Sequence, residues 1–295
     1  MEHNTQAPQH TEDPAKVYNS NPFTLSFDAL GRLFKTNVGW AIALIAVGFI
    51  GFLGNAASSV IDLVNLQQDT TPTSSTSFES SLSNTGVSTG SNTDVGVVLL
   101  IVGIVLVFVV IAVIIGAIIS TFLTGMFTYV MNQSEQGKSV SVSEAFNAVL
   151  KRFWRLLWAT LLAHLKIFGW TLLFIVPGII AALRYSLLPY LIMNEPEEEK
   201  GVTDAHNKVK SVVKGRLWEV FGVGTVGSLI PIVGETIGIA GRSALYRQLQ
   251  YSQDHKIERP KIHWLNYLGA ILLAAITLLA IVVAFIVVII IVANN

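Results

Sequence analysis

Four ionisable side chains stand inside otherwise apolar stretches of this chain: His164, Lys166, Arg184 and Glu235. Such a group inside a membrane segment costs roughly 2.5–3.5 kcal/mol on insertion scales unless it is paired or hydrated, so it is a functional hypothesis by default. Arg184 follows Pro177-Gly178 by several residues and Glu235 falls just past Pro231. Both then lie at a similar depth, where they can pair and pin two helical hairpins together. Lys166 has no carboxylate at a comparable place. It is neutral, or snorkels to the interface along its stem, or lines a polar cavity that takes an anionic headgroup. His164 is two residues away and points to another face of the helix. The four form a candidate intramembrane polar site, with structural pairing as the plainer alternative.

Other chemistry finds little support. The six histidines are scattered as His3, His10, His164, His206, His255 and His263, with no i, i+4 pair for a metal. There is no cysteine, hence no thiolate or disulfide chemistry. Gly86-Val87-Ser88-Thr89-Gly90 fits a nucleophile elbow, but a Ser/Thr/Gly-rich stretch generates such matches without the strand–turn–helix they require. Gly137-Lys138-Ser139 lacks the first glycine and the preceding strand of a phosphate-binding loop. No catalytic residue, metal or cofactor is expected, and the chain reads as non-enzymatic.

The elements that must position the polar site are membrane helices. Hydrophobic residues make up 52% of the chain and charged residues 13%, and residues 95–131 and 268–292 carry no charge. Uncharged apolar runs beyond about 18 residues are membrane-span candidates. The expected fold is all-α, a polytopic bundle of helical hairpins with six to seven membrane segments plus interfacial amphipathic helices. Residues 1–20 read as a disordered cytoplasmic tail and 21–262 as the membrane domain. Within that domain, 67–94 is a low-complexity Ser/Thr-rich loop outside the cytoplasm. Residues 263–295 add a C-terminal span.

Phe23, Phe27, Leu30 and Phe34 recur at helical spacing before a first span over 39–63. The run 95–131 is too long for one perpendicular crossing, and its second half sets small residues, Gly116 to Thr128, four apart for close helix contact. Ser141-Val142-Ser143-Glu144 is a capping box that opens the next helix. About forty mostly apolar residues, 153–193, then exceed one crossing, so a hairpin breaking at Pro177-Gly178 is expected. Residues 194–200 are acidic and loop-like. A short basic amphipathic helix opens at Thr203 or Asp204 and ends at Gly215. Residues 216–249 are broken by Pro231 and either enter and return or cross once with a kink.

Cation placement sets a provisional topology. With the N-terminus cytoplasmic and 216–249 returning, every Lys and Arg is cytoplasmic except Lys166 and Arg184, which lie in the bilayer. This gives a multi-pass cell-membrane protein of seven segments. The net charge is zero, so nothing points to nucleic acid; membrane lipids and other membrane proteins are the expected partners.

Residues 143–248 resemble a family of bacterial integral membrane domains found fused to glycerophosphoryl diester phosphodiesterases and as stand-alone uncharacterised proteins. The resemblance rests on Ser143-Glu144-Ala145-Phe146, Arg152-Phe153-Trp154, Val176-Pro177-Gly178-Ile179, Arg184-Tyr185-Ser186-Leu187 and Pro189. It continues through Gly201, Ala205, Ser211, Lys214-Gly215-Arg216 and Trp218. It implies a helical membrane domain and no reaction, because in fused members the chemistry belongs to a separate soluble barrel for which this chain has no room. The Ser/Thr-rich loop, the compressed 216–249 segment and the extra C-terminal span depart from the family. Two functional classes follow: a non-enzymatic protein that binds membrane partners or organises the bilayer, and a transporter or lipid-handling protein using Lys166 and Arg184.

Overall fold

The computed structural model describes residues 17–69, 92–195 and 201–293. All regular structure among them is helical: α1 (Pro22–Thr36), α2 (Val38–Asp69), α3 (Asn92–Ser134), α4 (Val142–Leu173), α5 (Ile175–Tyr185), α6 (Leu188–Asn194), α7 (Val202–Val213), α8 (Leu217–Leu229) and α9 (Gly234–Asp254). A single 3-10 turn (Trp264–Tyr267) then leads into α10 (Leu268–Ala293). Among the described residues, four segments can cross a membrane by length and composition: Gly96–Ser134, Val142–Leu173, Ile175–Asn194 and Trp264–Val292. This is a helical membrane protein.

Two compact units are formed by residues 1–49 with 121–295, and by residues 50–120. In the smaller, every side chain from residue 96 to 120 is exposed. Gly116 therefore touches nothing, and the small-residue contact is made only further on, where Gly125 packs on Val149 and Leu156 of α4. A helix apolar all round is suited to lipid.

The larger unit holds the core. Its helix ends follow local chemistry: Asn21 caps α1 ahead of Pro22, and the Ser141 hydroxyl accepts from the Glu144 amide to start α4. Gly215 ends α7 in the left-handed region, φ 77°. Asn37 ties the loop before α4 into this frame, donating to Ser134 Oγ (2.7 Å) and the Lys138 carbonyl (2.9 Å) and accepting from the Val140 amide (2.7 Å). The Gly137-Lys138-Ser139 segment thus has a structural role.

Two expectations need correction. The reversal between α4 and α5 falls at Phe174, whose backbone is extended (φ −156°, ψ 134°), and not at Pro177-Gly178. Pro177 is the third residue of α5, where no carbonyl of the helix awaits an amide hydrogen and the proline ring is tolerated. Gly178 acts after the turn, as the place where the two arms cross: a Cβ there would lie 2.9 Å from Thr171 Cα. The end of the expected tail is also ordered. Tyr18 donates to Glu219, the Asn19 amide to Gln248 Oε1 (3.1 Å), and Ser20 Oγ to Glu219 Oε1 (2.7 Å). The rest of that tail, residues 1–16, lies outside the described residues. So do residues 70–91, with the Gly86–Gly90 match, while α2 and α3 run into the two ends of the expected loop.

α8 ends just before Pro231, and α9 packs back against it. The Val233 amide donates to the Pro231 carbonyl at 2.8 Å across Ile232, whose φ of 70° makes this a rare, strained three-residue turn. Gly227 then lets α8 and α9 touch, since a Cβ on it would lie 2.9 Å from Gly238 Cα.

Candidate functional site

The residues of interest gather where the α4–α5 hairpin meets α7. Ala159 and Lys166 lie on α4, Tyr185 closes α5, and His206 and Lys210 share one face of α7, four residues apart. α7 is held in register by Glu195, which follows α6. Its carboxylate takes Arg155 at 2.6 Å and Lys208 at 2.9 Å, and its carbonyl accepts from Arg152 at 2.9 Å. Burial pushes the Glu195 carboxyl up, but the hydrogen bonds and charges of Lys208 and Arg155 outweigh it and hold the group below the usual carboxylate range.

His206 is buried, with Nε2 3.0 Å from the Ala159 carbonyl and Nδ1 3.2 Å from Lys166 Nζ. A carbonyl only accepts, so Nε2 carries the proton and Nδ1 accepts from the Lys166 ammonium. The ring is therefore neutral. Burial pushes its pKa down and the charges of Lys166 and Lys210 add to this, against the opposing pull of the Ala159 carbonyl. The Tyr185 ring packs at a tilt on His206, centroids 4.8 Å apart, and has Lys166 Nζ at 5.8 Å and Lys210 Nζ at 5.9 Å from its own centroid. Two ammonium groups over one aromatic ring are each attracted by its quadrupole, which offsets part of their mutual repulsion.

Beside this cluster opens a cleft of about 320 Å³ lined by Trp170, Pro177, Ile180, Arg184, Tyr185 and Lys210. Several basic groups near the core have carboxylates, Arg32 on Glu135, Arg155 and Lys208 on Glu195, Arg216 on Glu219, and Arg152 and Arg259 are held by backbone carbonyls. Among the described residues Lys166, Arg184 and Lys210 form no ion pair. The acidic stretch 196–200 lies outside those residues. A concave wall of aromatic rings and unpaired cations suits a phosphate or carboxylate.

The sequence-derived candidates divide accordingly. Lys166 and Arg184 belong to the site, and Pro177 lines it. His164 is exposed and its Nδ1 turns back to the Thr160 carbonyl at 2.8 Å, which makes it a local helix contact. Glu235 is exposed at the far end of α9 and makes no ion pair with Arg184, so the expected pin between hairpins is absent among the described residues. Gly178 and Pro231 shape hairpins and touch no polar site. Trp170, Tyr185, His206 and Lys210 escaped the sequence reading, although Lys166 with Trp170 and His206 with Lys210 each stand at i, i+4 on one helix face. Compared with protein-family models, with curated proteins and with solved structures, the chain matches none.

Proposed function

We propose that this is a non-enzymatic integral membrane protein that binds the phosphate of anionic lipid headgroups in the cleft lined by Arg184 and Lys210, with Lys166 behind its Tyr185 wall. The observation that carries this reading is that Arg184 and Lys210 line one aromatic-walled cleft, with Lys166 5.8 Å from its Tyr185 ring, and that none of the three forms an ion pair among the described residues. Trp170 and Tyr185 supply amphipathic rings of the kind that settle at the headgroup level. A helical membrane domain without a reaction of its own also agrees with what the sequence resemblance implies.

The test is native mass spectrometry of the full chain, gently extracted, beside binding to nanodiscs of phosphatidylglycerol or phosphatidylcholine. Each cation near an anionic surface is worth about 1 kcal/mol, so replacing Lys166, Arg184 and Lys210 together by Gln should weaken the preference for the anionic lipid by roughly two orders of magnitude. Unchanged retention of anionic lipid in the triple variant overturns the reading. A companion protein at fixed stoichiometry, with no retained lipid, favours partner binding instead.

A further inference from the structure

We infer that the α4–α5 hairpin does not cross the bilayer but dips into one leaflet and returns, with Lys166, Arg184 and Lys210 as a cationic collar at the phosphate level of that leaflet. This goes beyond headgroup binding, because it assigns the apolar tip of the hairpin an occupant: the acyl chains of a single leaflet.

The depth is set by α7. Its buried face, Ala205, Val209, Val212 and Val213, packs into the core, whereas Asp204, Asn207, Lys210 and Lys214 are exposed. Hydrocarbon excludes such a face, so α7 stays at the aqueous boundary. It is bonded to α4 at Ala159 and Lys166, and its His206 ring packs at a tilt against Tyr185 of α5. Beyond these points α4 has only residues 167–173 and α5 only residues 175–184. At 1.5 Å per residue these arms reach roughly 10 and 15 Å, about half of a ~30 Å hydrocarbon core. A full crossing needs twice that.

The tip is built for lipid. Residues 168–176 are exposed without interruption, among them Leu172 (72%) and Ile175 (71%). The same exposed face runs back along α4 through Leu165, Leu161, Trp158 and Trp154, spaced at four and three residues, while Arg155 and Lys166 turn to the other side. That helix then lies obliquely, one face to lipid and one to the α7 side. The charge pattern completes the argument. The collar has no carboxylate among the described residues, as a ring meeting lipid phosphates requires. With Lys166 and Arg184 at the surface and not inside the bilayer, all nineteen Lys and Arg of the chain fall on one side of the membrane.

The α8–α9 hairpin obeys the same geometry. α8 has 13 residues, about 20 Å and short of a crossing, and its turn meets α2 at Gly48, against the Ile232 carbonyl. That contact lies roughly 15 Å along a helix that runs on to Asp69.

Because the chain has no cysteine, single cysteines report depth without background. Phe174→Cys at the tip and Asn207→Cys on α7 are made in the full chain and reconstituted in phosphatidylglycerol/phosphatidylethanolamine vesicles. Asn207→Cys should react with a membrane-impermeant maleimide from one side. Phe174→Cys should resist it from both sides, react with a lipid-permeant maleimide, and give a bimane adduct quenched at least twofold more by nitroxides deep in the acyl chains than by headgroup nitroxides. Labelling of Phe174→Cys from the side opposite to Asn207→Cys means that the hairpin crosses and overturns the inference; labelling from the same side places the tip in water and overturns it too. If Phe174→Cys does not fold, Ile175→Cys gives the same readings. Depth is read independently of headgroup affinity, so a buried tip with no anionic preference overturns only the function proposed above.

Discussion

Lys166 Nζ lies 3.2 Å from Nδ1 of His206, forty residues further on and in another helix. The contact requires a neutral imidazole, since protonated Nδ1 would turn a donor toward an ammonium. His206 faces Lys166 from α4 and Tyr185 from α5, with Lys210 on its own helix. Its pKa is lowered by burial and by the two lysines, so the undocked state binds the proton more readily than the docked one. Docking of α7 is therefore fully favoured above the unperturbed histidine value of about 6.5 and weakens as pH falls below it. Hydrogen exchange over residues 201–213 should accelerate between pH 7.5 and 5.5 in the wild type. In His206→Gln, which keeps a donor and an acceptor but does not titrate, the pH dependence should flatten.

Glu195 is the second tie on α7, and its loss should be felt along α4 and α7 together. Glu195→Gln removes the charge opposite Arg155 and Lys208 while keeping the volume. With Lys208 a third exposed the pair is partly screened, so a loss of about 1–2 kcal/mol is expected. It should appear as a lower thermal midpoint in detergent. The carboxyl is held below its usual range, so its contribution is present above about pH 4.3 and disappears as pH falls through the lowered value. Acid unfolding of the wild type should thus begin below pH 4.3, whereas Glu195→Gln should lack this component.

The hairpin separates two neighbouring residues that the sequence joins as one break. Gly178→Ala places a methyl group 2.9 Å from Thr171 Cα and 3.0 Å from Thr171 Cβ, and backbone cannot yield as a side chain can. Splaying the arms should cost roughly 1–3 kcal/mol. Thr171→Gly in the same chain should return part of it. Pro177→Ala, in contrast, alters a first-turn position whose amide has no partner in the helix, and should shift the thermal midpoint little. A Pro177→Ala loss as large as that of Gly178→Ala would refute this assignment.

Much of this architecture is written in local pattern. Long apolar runs gave the membrane helices, the Ser141–Glu144 spacing the start of α4, Gly215 the end of α7 and Pro231 the second reversal. What escaped depends on contacts between helices. Nothing within α7 marks His206 as the partner of Lys166, because periodicity describes one helix face and not its neighbour. Sequence depth alone pairs Arg184 with Glu235, whereas the structure gives Arg184 to the α7 side. The turn at Phe174 was hidden because an extended phenylalanine carries no turn signature, whereas Pro177 carries a strong one that a helix N-terminus also accepts.

The N-terminal contact offers the last test. Glu219, 1% exposed, accepts from Tyr18, from Ser20 at 2.7 Å and from Arg216 at 3.0 Å. Ser20 in turn accepts from the His263 amide at 2.9 Å and the Asn266 side chain at 2.7 Å. One carboxylate thus fastens residues 18–20, the base of α8 and the turn leading into α10. The Tyr18 hydroxyl stays protonated, its pKa raised by burial and then by Glu219. Glu219→Ala strands the Arg216 charge and two hydroxyls, and removal of one member of a buried, hydrogen-bonded pair costs about 3 kcal/mol. Amide exchange at residues 17–21 should then speed up by more than tenfold, together with a fall in thermal midpoint. Asn19→Ala leaves the carboxylate and its partners in place and should change the thermal midpoint little, its effect on exchange being confined to Asn21, whose amide donates to Asn19 Oδ1 at 2.9 Å. Equal exchange in Glu219→Ala and wild type would show that the N-terminal segment is fastened by other contacts, such as the Asn19 amide on Gln248.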